Sequence, residues 1–228
     1  MSSIAGKLQL VRERIASACA AAQRPVQSVT LLAVSKTFGV EAVREAQAEG
    51  QRAFGENYVQ EALAKIDALT DLRGMIEWHL IGPLQSNKTR EVAAHFDWVH
   101  SVDRLKLAER LSAQRPANLP PLQVCLQVNV SGEASKSGVA PAELPALAQA
   151  VAALPGLRLR GLMSIPEPIA DFAAQRVPHR RLHELFDALR RDGLALDTLS
   201  TGMSADLEAA VTEGATIVRV GTAVFGER

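Results

Sequence analysis

Strand and helix patterns alternate eight times along this 228-residue chain, and that alternation leaves few folds open. Runs rich in β-branched, aliphatic and aromatic residues, at 28–35, 52–55, 75–81, 98–101, 122–130, 157–163, 196–200 and 216–220, read as strands, with 122–130 the longest. Most of their starts lie about 20 to 25 residues apart, room for one strand, one helix and two short loops. Helical patterns stand between them: 40–49, stopped by Gly50; 56–69; 89–96; 104–113, with Asp103 as expected cap; 141–154; a helix whose first turn Pro178 suits; and 204–213, with Ser204 at its cap. Ile4, Leu8, Val11, Ile15 and Ala18 recur at helical spacing before the first strand. Strict alternation implies parallel strands, because each must return to the same end through a helix. Eight such units match an α/β fold, a closed (β/α)8 TIM barrel with an extra N-terminal helix, in a single domain over 1–228. A doubly wound open sheet is the alternative. Against it, no Gly-x-Gly-x-x-Gly follows the first strand, and no linker marks a second domain.

Charge and cysteine usage narrow the partners. Lys plus Arg equals Asp plus Glu, 25 each, so no general field draws nucleic acid or an anionic membrane to the chain. Cys19 and Cys125 form no spaced motif and read as small buried hydrophobes of a reducing compartment. Lys7, Arg12, Glu13 and Arg14 interrupt any leader-like apolar run, and no stretch has spanning length, so the expected location is the cytoplasm. His179 and His183 lack a third metal ligand and are expected on an exposed helix face, like the pairs Arg180-Arg181 and Arg190-Arg191.

A barrel of this kind carries its chemistry at the C-terminal ends of its strands. There the sequence puts Lys36, Glu56 and Asn57, His79 and Gln85, His100 and Asp103, Asn129 and a loop with Lys136, Met163 and Ser164, the run 201–204, and the run 219–222. Lys36 ends the apolar run 28–35 and shares a strand face with Leu32 and Val34. It either snorkels to water or delivers an amine to the mouth of the core. Ser204 and Gly202, with Gly221 and Thr222, form two glycine-containing turns where backbone donors and hydroxyls suit an anion, although Ser204 also serves as a plain cap. Arg219 alternates with Val218 and Val220, so it points into the barrel, to a salt bridge or to a ligand. A lysine able to form a Schiff base, a phosphate cradle and an arginine between them describe a site for pyridoxal phosphate.

The runs at 33–36 (Ala-Val-Ser-Lys), 54–61 (Phe-Gly-Glu-Asn-Tyr-Val-Gln-Glu), 78–88, 161–163, 202–206 (Gly-Met-Ser-Ala-Asp) and 219–226 together resemble the pyridoxal phosphate homeostasis protein family. That family is a single-domain barrel similar to the N-terminal barrel of alanine racemase, and the resemblance covers nearly the whole chain in order. It implies that Lys36 carries pyridoxal 5′-phosphate as a Schiff base, that Ser204, Gly221 and Thr222 hold the phosphate, and that Arg219 lies by the pyridine nitrogen. Asn57, His79 and Met203 would line the pocket. Phe38-Gly39 departs from the lysine and proline that many relatives have shortly after the cofactor lysine.

The resemblance implies a carrier of pyridoxal phosphate in intracellular cofactor homeostasis, with apo forms of cofactor-dependent enzymes as recipients; Lys136, in the loop 131–138 at the same rim as Lys36, is either a transient acceptor during release or a solvated loop lysine. A monomer is expected, with a dimer as alternative. An amino-acid racemase on the same barrel and a sugar-phosphate isomerase using Lys36 are the rival readings. Alanine racemases draw a second base, a tyrosine, from an additional β domain, for which a chain ending at Arg228 has no expected room. Its one tyrosine, Tyr58, falls at the start of a helix. An arginine at the pyridine nitrogen also stays protonated and weakens the ring as an electron sink. With excess pyridoxal phosphate in deuterated buffer, α-proton exchange of L- and D-alanine is therefore expected to stay at the level of free cofactor. Fast, saturable exchange dependent on Lys36 would instead mark an enzyme.

Overall fold

The computed structural model describes residues 3–131 and 137–226. Its strands are β1 (Thr30–Val34), β2 (Ala53–Glu56), β3 (Glu77–Leu80), β4 (Trp98–Val102), β5 (Leu122–Gln127), β6 (Leu157–Met163), β7 (Thr198–Ser200) and β8 (Ile217–Val220). They pair in sequence order, all parallel, and β8 closes on β1 with Leu32 opposite Arg219. The helices are α1 (Ile4–Ala21), α2 (Val40–Ala48), α3 (Val59–Ala68), α4 (Thr89–His95), α5 (Leu105–Gln114), α6 (Leu144–Ala152), α7 (Phe172–Arg191), α8 (Leu207–Thr212) and α9 (Thr222–Phe225). The closed barrel expected from the alternation is thus the observed fold, and the open sheet is excluded. No helix among the described residues is long and apolar enough to cross a membrane.

Side-chain alternation divides the strands between two environments. Leu31, Ala33, Phe54, Val218 and Val220 face outward into the large core shared with the helices. Leu32, Ala53 and Ile217 face inward, with Ile81 against them, and Trp98, Cys125 and Met163 form a second interior cluster. Both cysteines are buried and free. The interior is therefore a packed core and not a channel, as the short layers of an eight-stranded barrel require.

Several local expectations fail for identifiable reasons. The longest strand is β6, because after Gln127 the chain leaves the barrel ladder and Val128 bridges to Val139. α5 has Arg104 at its cap position and no side-chain cap, so Asp103 does not perform that role. α7 begins at Phe172, since the Asp171 carboxylate accepts the Ala174 N–H at 2.8 Å, and Pro178 lies inside the helix. Ser204 does not cap α8 either: that helix starts at Leu207. A further short helix, α9, follows β8 directly.

The loops at the C-terminal rim are packed against one another. A Cβ on Gly82 would stand 2.2 Å from the Asn57 carbonyl oxygen and 2.7 Å from its Cα. The Ser101 hydroxyl, donating to the Gly82 carbonyl at 2.7 Å, holds the loop in that place. Backbone so close leaves no room for a methyl group. Gly82→Ala is expected to cost about 1–3 kcal/mol of stability by overpacking, read as a lowered urea midpoint at unchanged slope.

Candidate functional site

A cavity of about 490 Å³ opens at the C-terminal mouth of the barrel, lined by Lys36, Asn57, Met203, Ser204, Arg219, Gly221 and Thr222 with the apolar Val34, Ile81, Ile165 and Ala205. Seven of the eight residues singled out in the sequence thus meet in one place. Their convergence follows from the strand pattern. Lys36 stands two residues beyond β1, above Val34 and Leu32 on the inward face. Gly221 follows β8 directly, and a Cβ on it would lie 3.2 Å from the Val34 carbonyl oxygen, so the β8 end sits close against the β1 end.

Arg219 is only 5% exposed and enters the cavity from below. Its Nη1 donates to the Ser200 carbonyl at 2.6 Å and to the Ser200 hydroxyl at 2.9 Å, and its Nη2 donates to the Ser164 carbonyl at 2.7 Å. Burial pulls the guanidinium down to about 10, still far above neutrality, so it remains a cation at the cavity floor.

His79, the eighth residue, does not line the cavity. It lies inside the barrel, stacked on Trp98 with ring centroids 5.2 Å apart, and connects to the site through two groups. His79 Nδ1 is 2.9 Å from His100 Nε2, and His100 Nδ1 is 2.8 Å from Ser200 Oγ. The hydroxyl accepts from Arg219 and has one proton of its own; donated to His100 Nδ1, it would put the His100 hydrogen on Nε2, facing His79 Nδ1. His79 Nε2 lies 3.8 Å from the Glu77 carboxylate, beyond hydrogen-bond distance, and has no hydrogen-bond partner among the described residues. Both rings are neutral in this arrangement. Burial lowers His79, and burial together with the neighbouring His79 and Arg219 holds His100 well below the usual range. Sequence reading placed His100 at a strand end without a role; its part in this relay depends on Ser200, a hundred residues away.

The turn after β7 differs from the expected open anion nest. Gly202 has φ +94°, and a Cβ there would meet the Ala210 Cβ at 2.4 Å. The Met203 N–H is already taken, donating to Asp206 Oδ1 at 2.6 Å. Asp206 Oδ2 accepts from His179 Nε2 at 3.1 Å, and His179 Nδ1 meets Thr201 Oγ1 at 2.8 Å. Thr201 is in turn 3.0 Å from the Ser164 hydroxyl. His179 is 1% exposed, which corrects its assignment to an exposed helix face. His183 bonds the Glu213 carbonyl, and Arg180 pairs with the Glu213 carboxylate. Burial alone would raise Asp206, but the bonds from His179 and the Met203 N–H, with the charge of Arg219, hold its carboxyl below the usual range.

Two observations bear on a ligand. Asn57 Oδ1 is buried at the cavity edge without a hydrogen-bond partner among the described residues. In addition, an amine, a cation and two glycine-containing turns face a space large enough for a small phosphorylated aldehyde. Among the described residues no cluster of three or more His, Cys, Asp or Glu could hold a metal ion. Lys136 lies outside the described residues.

A carboxyl held low in the fold stabilises it above the unfolded value, near 3.9, and loses that contribution as pH falls through the lower folded value. Asp206→Ala leaves Met203 N–H and His179 without their acceptor. It is expected to cost about 1–3 kcal/mol near pH 7, and the gap from the parent chain is expected to close as pH drops below about 4, in urea titrations at each pH.

The sequence model of the family described as alanine racemase, N-terminal domain, matches residues 8–228. A relative in Pseudomonas aeruginosa, named pyridoxal phosphate homeostasis protein, is 64% identical over 100% of this chain and 97% of its own length. The Escherichia coli protein of the same name is 53% identical over 100% of this chain and 98% of its own. The solved structure of PipY from Synechococcus elongatus with pyridoxal phosphate bound superposes with a TM-score of 0.86 at 42% identity, covering 98% of this chain and 100% of that one. With its barrel, its cavity and full-length likeness at these identities, the chain belongs to the pyridoxal phosphate homeostasis protein family.

Proposed function

We propose that this protein binds pyridoxal 5′-phosphate as a Schiff base on Lys36 and serves in its intracellular homeostasis. The observation that carries the reading is one cavity in which the Lys36 amine and the buried Arg219 cation meet beside the turns at Gly202–Ser204 and Gly221–Thr222. In this assignment Ser204, Gly221 and Thr222 hold the phosphate, Arg219 faces the pyridine nitrogen, and Asn57 and Met203 border the ring. His79 acts from behind, through His100 and Ser200. The bound cofactor supplies a reactive aldehyde. The Lys36 amine would hold that aldehyde reversibly as a Schiff base, with loss of water. PipY, a solved relative, holds the same cofactor, and the names of the two curated relatives point to the same role.

Storage and delivery fit this site better than amino-acid chemistry. Arg219 has its carbonyl partners from Ser200 and Ser164 and stays cationic, which opposes protonation of the ring nitrogen facing it and so weakens carbanion stabilisation. Tyr58 is exposed on the rim and does not line the cavity. The reading extends to a monomer in a reducing cytoplasm, supported by two buried free cysteines, with apo-enzymes as recipients.

Lys36 is half-buried, and no hydrogen bond or ion pair of its side chain stands among those of the described residues, so Lys36→Ala is expected to leave stability within about 0.5 kcal/mol of the parent. Borohydride reduction after incubation with pyridoxal phosphate is expected to trap the cofactor on the parent chain and not on the variant, by mass. An adduct at parental yield on Lys36→Ala would overturn the assignment; a parent chain that neither turns yellow nor traps the cofactor would overturn the binding itself.

A further inference from the structure

Beneath Lys36 lies a buried ionic cluster that the site described so far does not use. Glu56 is outward-facing on β2 and fully buried, and Lys65 on α3 is 4% exposed. Lys65 Nζ donates to three acceptors: the Ser35 carbonyl at 2.7 Å, Glu56 Oε1 at 2.8 Å and Glu61 Oε1 at 2.7 Å. The Ser35 hydroxyl donates to the same Glu56 oxygen at 2.6 Å. Glu61 Oε1 also accepts the Thr37 N–H at 2.5 Å.

The two backbone groups in this cluster are the carbonyl just before Lys36 and the amide N–H just after it. Both peptide units flanking Lys36 are therefore tied to one helix, α3, through one ammonium and one carboxylate. The tie holds an unfavourable conformation. Thr37 has φ +66°, a left-handed region in which a β-branched residue is rare and costs of the order of 1–3 kcal/mol. The Thr37 hydroxyl bonds the Lys36 carbonyl at 2.6 Å, and the Phe38 N–H bonds the Ser35 carbonyl at 3.0 Å, closing the turn on itself.

A purely structural ion pair between barrel and helix has no need of this arrangement. Burying ions is costly, and an apolar pair of equal volume holds such layers together as well or better. Burial also pushes the Glu56 carboxyl up against the pull of Lys65 and Ser35, and its second oxygen, Oε2, has no hydrogen-bond partner among the described residues. What an apolar pair cannot do is hold the Ser35 carbonyl and the Thr37 N–H, on either side of Lys36, in a turn that breaks away from its strand.

We infer that Lys65 and Glu61 are positioning residues for Lys36: by gripping the peptides on either side of it, they hold its amine over the cavity, so that the Schiff base forms there in preference to free lysine in solution. The inference rests on the cofactor reading above.

The test separates imine formation from phosphate and ring binding. Pyridoxine 5′-phosphate has an alcohol where pyridoxal phosphate has the aldehyde, so it samples the pocket without bonding Lys36. Purified Glu61→Gln and Lys65→Met chains are compared with the parent for imine absorbance against pyridoxal phosphate concentration and for pyridoxine 5′-phosphate affinity by calorimetry, with circular dichroism as the check on folding. In both variants the apparent imine constant is expected to fall at least tenfold while pyridoxine 5′-phosphate affinity stays within twofold of the parent. Glu61 is partly exposed, so its variant decides the matter if Lys65→Met does not fold. Imine formation within twofold of the parent in folded Glu61→Gln overturns the inference, and so does an equal loss for both ligands, which marks a structural role. A parent chain that binds neither ligand refutes the cofactor reading instead.

Discussion

Much of the site is arranged around one guanidinium that water scarcely reaches. Arg219 cannot shed its charge at any ordinary pH, and its position on the inward face of β8 places that charge inside a closed barrel. The surrounding strands answer with oxygen. The carbonyls of Ser200 and Ser164, at the ends of β7 and β6, turn toward it, and the Ser200 hydroxyl adds a third acceptor. Through that hydroxyl the buried cation is joined to two histidines deeper in the barrel.

The interior is layered accordingly. Leu32, Ala53 and Ile217 fill one part of it, and Trp98, Cys125 and Met163 fill another. The polar relay runs between the latter and the mouth, with His79 stacked on Trp98. Outside the barrel wall a second polar layer, Asp206–His179–Thr201–Ser164, secures the turn at Gly202–Ser204 to the helix α7. The cavity walls are therefore held from two sides by hydrogen bonds whose partners are already matched. A preorganised binding surface of that kind favours affinity, because little ordering remains to be done when a ligand enters.

The fold was legible because it depends on periodicities local to each segment. Eight strand patterns separated by helices allow little but a barrel, and the alternation Leu32, Val34, Lys36 already puts the amine on the inward side. Arg219 was likewise placed inward by its apolar neighbours Val218 and Val220. What escaped the sequence is what depends on partners far along the chain. His179 looked exposed between Pro178 and Arg180, and only Thr201 and Asp206 explain its burial. Ser204 was the expected cap, but the helix starts at Leu207, and the Asp206 carboxylate is engaged by the Met203 N–H and His179. Lys65 drew no attention in the sequence, since its acceptors come from the end of β1, from β2 and from the preceding turn of α3. The end of β5 was misread because Val139, beyond a loop, competes for Val128.

The seam between β1 and β8 joins the first strand of the barrel to the last, with Leu32 opposite Arg219 and Ala33 opposite Val220. Contacts so distant in sequence carry the largest loop-closure entropy and come late in folding. Lys36 follows one side of that seam, while Arg219 and Gly221 lie on the other. A chain still emerging from synthesis, or one whose final strand has peeled away, presents a lysine but no pocket around it. On the function proposed here, capture of an aldehyde at this place would report closure of the barrel, and a bound ligand would add to the free energy that keeps the seam shut.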